Sequence, residues 1–120
     1  MPDHSIPVAV ARAFTEAWTS RDFDLAASYV AEDAIFDGPL GHADGKQEYM
    51  QGISGLARIV TGLRILAAYG DDTRALIMYE LTTESFGVLT CAKLLSVRDG
   101  KIQTDRLTFD SHEIKKARGD

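Results

Sequence analysis

The groups in this chain that could move a proton or hold a polar ligand are few and lie far apart. AEDAIFDGPLG, residues 31–41, carries Glu32, Asp33 and Asp37 and stops at Gly38-Pro39. Glu32 and Asp33 fall at the expected end of a helix, where acids are solvated or form turns. Asp37 precedes a turn, where an aspartate accepts backbone N–H bonds. Side chains alternate across a strand, so Phe36 and Gly38 share one face while Ile35 and Asp37 share the other. The same alternation makes Cys91, Lys93 and Leu95 one face of a later strand, and Asp105, Leu107 and Phe109 one face of the next. Tyr79 shares a face with Ile77 and Leu81 and is amphipathic, able to donate its hydroxyl to a ligand or to a core partner. If Lys93 and Asp105 meet, they form either a structural ion pair or a polar centre. In the second case Lys93 is an oxyanion or carbonyl anchor, or an amine of lowered pKa, and Asp105 is a general base.

Other chemistries lack their residues. Cys91 is the single cysteine, which leaves no disulfide framework and no multi-thiolate metal site, fits a reducing cytoplasm, and reads as a small core residue. His4, His42 and His112 are scattered, with His42 expected in a loop, so no metal site is predicted. No dinucleotide, Walker or nucleophile-elbow motif occurs, so no cofactor is predicted. A net charge of −5 over 120 residues argues against a nucleic-acid surface. MPDHSIPVAV does not resemble a secretory signal, and no apolar run is long enough for a membrane span. A cytoplasmic protein with no membrane partner is the expectation.

The elements that must position these groups follow from periodicity. One domain over residues 1–120 fits the length and apolar content. Ala11, Phe14 and Trp18 at helical spacing after Pro7 predict a helix over 7–20. A second helix is expected over 24–31, capped by Asp22 or Asp24, and a short strand over 34–37. Asp44 and Gln47, spaced as a capping box, predict a third helix reaching about Arg58 despite two glycines. Four segments, TGLRILAAYG, TRALIMYELTT, FGVLTCAKLLSV and KIQTDRLTFD, are rich in β-branched and aromatic residues and predict antiparallel strands. Asp99-Gly100 is the clearest hairpin signal. Helices followed by strands give an α+β class: a curved antiparallel sheet packed on three N-terminal helices. The charged end, residues 111–120, is expected to be a mobile tail. Strands 76–81 and 88–97 are apolar on both alternations, which predicts a homodimer through the open sheet face.

This order, with AWTSRDFDLAASYVAEDAIFDGP in front and VRDGKIQTDRLTFD at the end, resembles the nuclear-transport-factor-2-like superfamily and, within it, the SnoaL-like group. The resemblance covers nearly the whole chain and implies a cone-shaped, cystatin-like α+β fold, dimeric, with a pocket between sheet and helices. It also implies that the Phe36/Gly38, Lys93 and Asp105 faces look inward, as does the set of Tyr79, Ile77 and Leu81. The pocket would then be lined by Phe14, Trp18, Tyr49 and Ile53 from the helices, and by Phe36, Ile77, Leu81, Cys91, Leu95, Leu107 and Phe109 from the strands. Lys93, Asp105 and Tyr79 would be its polar, candidate catalytic contacts.

Two relatives can be tested residue by residue. Ketosteroid isomerase has a similar pattern over residues 14–39, but its oxyanion tyrosine falls on Phe14, its aspartate base on Gly38 and its protonated aspartic acid near Lys93. Limonene-type epoxide hydrolase ends in W-R-D-Y-F-D, where this chain has D-R-L-T-F-D, so Asp105 and Leu107 replace its tryptophan and aspartate. Neither mechanism fits. The expectation is a pocket for a small, mostly apolar organic ligand, with cofactor-free isomerase or cyclase chemistry on a carbonyl or cyclic compound. The alternative is a non-catalytic binding or dimerisation module whose pocket is filled by its own side chains.

Overall fold

Residues 6–119 are described by a computed structural model. The chain runs α1 (Ile6–Thr19), α2 (Phe23–Ala27), β1 (Val30–Gly38), β2 (Gly41–Asp44), α3 (Lys46–Ala57), β3 (Val60–Gly70), β4 (Arg74–Thr83), β5 (Val88–Arg98), β6 (Lys101–Thr108) and α4 (His112–Arg118). The strands form one six-stranded sheet in the order β2-β1-β6-β5-β4-β3. The Asp99-Gly100 turn forms as predicted: both residues have positive φ, 54° and 74°, which the tight turn joining β5 to β6 requires. Register shifts in β3, at the β5–β6 turn and between β1 and β6 mark where the sheet bends.

Most of the sheet is antiparallel, but β1 pairs with β6 in parallel, with Phe36 opposite Asp105. The four long strands pair antiparallel as expected, and the parallel partner of the first strand, which periodicity does not predict, puts the N-terminal half beside the last strand. It also shortens α2, which ends at Ala27 rather than residue 31. The Tyr29 carbonyl accepts from Ile102 N at 2.7 Å, so the backbone there is committed to the sheet. Asp22 caps α2 through Leu25 N. Glu32 and Asp33 consequently lie on β1, exposed, and not at a helix end. The capping box at Asp44 does not form: Gly45 occupies the N-cap without a side-chain bond, and Glu48 accepts from Asp44 N instead.

α1 packs across β3, β4 and β5, while α3 packs on β1 and β2. Phe14 and Trp18 of α1 and Tyr49 and Ile53 of α3 are all buried in one core. At the charged end, residues 112–118 are helical and Ile114 is buried. The opposite face of the sheet stays bare, with Tyr69, Leu76, Met78 and Leu94 exposed.

Candidate functional site

The inward alternation of β5 and β6 brings Lys93 and Asp105 together, with Lys93 Nζ 2.8 Å from Asp105 Oδ2 and both side chains wholly buried. Burying either charge alone would cost several kcal/mol, so each explains the other. Tyr49, from the first turn of α3, donates its hydroxyl to the same Oδ2. The ammonium also lies 5.1 Å from the Phe14 ring centre and 5.9 Å from that of Trp18, distances at which an aromatic face attracts a cation. Burial first, and then the charge of Asp105, raises the Tyr49 phenol well above the ordinary tyrosine value, which holds its proton in place. Tyr79 is raised in the same direction by burial, then by Cys91 and Asp105. Burial pushes the Cys91 thiol up to about 11, against the opposing pull of Lys93, so it is no nucleophile. Among the described residues, Asp105 Oδ1, the Tyr79 hydroxyl and Trp18 Nε1 are buried without a hydrogen-bonding partner of good geometry.

A cavity of about 590 Å³ lies between α3, the β1–β2 hairpin, the end of β6 and α4. Its wall is mainly apolar, with Phe36, Ile53, Leu56, Phe86, Leu107 and Phe109 among the lining residues, and His42, Glu48 and Gln51 as exposed polar ones. Of the residues predicted to line a pocket, Phe36, Tyr49, Ile53, Leu107 and Phe109 do so. Phe14, Trp18, Ile77, Leu81, Cys91 and Leu95 are instead packed in the core. Lys93, Asp105 and Tyr79 are also absent from the cavity wall. They are sealed inside the core, and Tyr49, which touches both cavity and carboxylate, is the link between them.

Asp37 is a correction. It does point away from the cavity side of β1, but its partner is not the turn backbone: its Oδ1 lies 2.6 Å from His42 Nδ1. His42 stands on β2 and not in a loop. Its other ring nitrogen lies 3.4 Å from Asp44. The pair bridges the edge hairpin in solvent, and the hydrogen bond that His42 donates to Asp37 leads the effects that raise the His42 pKa. Among the described residues no cluster of three or more His, Cys, Asp or Glu could hold a metal; His4 lies outside them. No described helix is long and apolar enough to cross a membrane.

Gly38, where the isomerase resemblance would put an aspartate base, has room for a side chain only if the Phe36 ring moves. A Cβ built there would meet Phe36 Cζ and Cε1 at 2.8 and 2.9 Å. The Phe36 ring, 5.4 Å from that of Tyr49, occupies the space that such a base would need.

The residue that sequence reasoning placed too modestly is Tyr49. Sequence alone gives it as a pocket-lining aromatic, and 56 residues separate it from Asp105. A tyrosine within an otherwise apolar helical stripe was the available signal, since a buried hydroxyl demands a partner.

A six-stranded curved sheet with helices on one face defines the nuclear-transport-factor-2-like class. Residues 11–104 match the SnoaL-like domain, and the chain belongs to that family. A crystal structure of a protein from Kribbella flavida is 34% identical, with a TM-score of 0.89, over 98% of this chain and 95% of that one. A nuclear-transport-factor-2-like protein of unknown function from Cytophaga hutchinsonii is 18% identical with a TM-score of 0.73, over 88% and 90%. An epoxide hydrolase of the limonene-epoxide-hydrolase-like type from Mycobacterium tuberculosis is 19% identical with a TM-score of 0.76, over 95% and 91%. The last two share the fold alone. No curated protein matches the chain.

Proposed function

We propose that this chain binds a small, mostly apolar organic molecule in the cavity between α3 and the β1–β2 hairpin, with Tyr49 as the wall residue backed by Asp105 and Lys93. The observation that carries this reading is the cavity itself: about 590 Å³, within the range of roughly 300–1,000 Å³ that small-molecule sites occupy. The sealed position of Lys93, Asp105 and Tyr79 favours a binding role over one in which these groups touch the ligand directly. Two glycines of α3 provide a clean test. Gly52 and Gly55 line the cavity, and a Cβ at either would meet nothing within 4 Å. Gly52→Trp should cut the affinity for an apolar fluorophore such as N-phenyl-1-naphthylamine by about tenfold or more. It should not lower thermal stability, since glycine is a poor helix residue. Unchanged affinity would place the probe elsewhere.

A second reading, cofactor-free acid–base chemistry on a carbonyl or cyclic compound, draws on one observation. Asp105 Oδ1 is uncommitted and keeps a lone pair for a proton. It requires Tyr49 to leave Asp105 when the ligand binds, and it is contradicted if Lys93→Met turns over a substrate as fast as the parent. The bare sheet face supports homodimerisation, in which Leu76 and Met78 would pack against a second copy. Leu76→Lys should give a monomer in sedimentation if that is so.

A further inference from the structure

We infer that Phe36 sets the depth of the cavity and that Gly38 is the position that lets it do so, so that the two together select compact apolar molecules over extended ones. This rests on the reading of the cavity as a ligand site. Gly38 is not among the positive-φ residues, so its backbone would accept any side chain; what glycine supplies is space. Phe36 stands opposite Asp105 in the parallel register, and its ring edge reaches along β1 over Gly38. The built Cβ at 38 would lie 2.8 and 2.9 Å from that edge, far inside van der Waals contact. A side chain at 38 and the ring in this position therefore exclude each other.

Two rings meet at this inner end, and they differ in freedom. Tyr49 is fully buried and tied to Asp105 by its hydroxyl. Phe36 is half-buried and has no polar tether. Phe36 is thus the adjustable member, and in the parallel register it stands at the level of Asp105.

The test compares naphthalene with the longer N-phenyl-1-naphthylamine. Phe36→Ala should shift the affinity ratio toward the longer probe by about tenfold, with Phe36→Leu in between and retaining core volume. Gly38→Ala should change the ratio when Phe36 is present and leave it nearly unchanged in the Phe36→Ala background, because the ring is what a Cβ at 38 clashes with and its contact with Leu107, at 3.7 Å, is ordinary. An unchanged ratio in folded Phe36→Ala, or an equal Gly38→Ala effect in both backgrounds, would overturn the inference. If the parent chain binds neither probe, the ligand reading fails, and a crystal structure of Phe36→Ala decides this one separately. A cavity extended to Asp105 supports it, and a cavity that keeps its inner end overturns it.

Discussion

Asp105 lies 2.8 Å from Lys93 and Asp37 lies 2.6 Å from His42, yet the two pairs have opposite surroundings. The first has no exposed side-chain surface, whereas both side chains of the second are more than half exposed. Distance ranks the exposed pair as the stronger; burial reverses the order. Water screens Asp37 and His42 whether or not they meet. Among the described residues Lys93 and Tyr49 are the side chains bonded to Asp105, so losing Lys93 or Asp105 leaves a desolvated charge. The rim pair is therefore dispensable to the fold, whereas neither member of the inner pair can be removed alone without cost.

The largest effect follows from breaking the inner pair on one side. Asp105→Ala should destabilise the chain by about 3–5 kcal/mol in urea unfolding, because the Lys93 ammonium remains buried and unpaired. The double variant Lys93→Met with Asp105→Leu should cost less than Asp105→Ala alone. A double variant as unstable as the single would mean that packing, and not charge, holds this region. Next in size is Tyr49→Phe, expected to cost about 1.5–3 kcal/mol, the range for a hydrogen bond to a charged group; no loss would mean that the Tyr49 bond to Asp105 is not made in solution.

The smallest effect belongs to the rim. The Asp37 hydrogen bond, with help from Asp44, raises the folded-state pKa of His42 above 6.5. A raised histidine stabilises the fold fully below its unfolded pKa and loses that contribution as pH climbs through the folded value. The window therefore opens near 6.5 and closes at the folded value. An NMR titration of the His42 ring should give a value above 6.5 that falls in Asp37→Asn, with the unfolding midpoint hardly moved. A titration unaffected by Asp37→Asn would remove the pair.

Local chemistry announced much of this architecture. The Asp99-Gly100 turn, the four long strands and the Phe14/Trp18 helix each have a short-range cause that a window of residues reveals. The parallel β1–β6 pairing has none, and with it went the end of α2 and the length of β1. GHAD is too short to show a period, so β2 and the Asp37–His42 bridge were hidden. In the site, strand alternation and the family resemblance together led to Lys93 and Asp105. Whether they would face a ligand or lie sealed depends on where the rings of Tyr49 and Phe36 fall, and ring placement is decided by packing across distant segments.

The most direct test of the central claim is a crystal structure of the chain with N-phenyl-1-naphthylamine bound. An apolar probe can compare the cavity with the bare sheet face of Leu76 and Met78. The probe should lie inside the cavity, against Phe36, Leu107 and the Tyr49 ring, with Lys93 and Asp105 still paired behind it. A probe seated on the sheet face, with the cavity unoccupied, would contradict it.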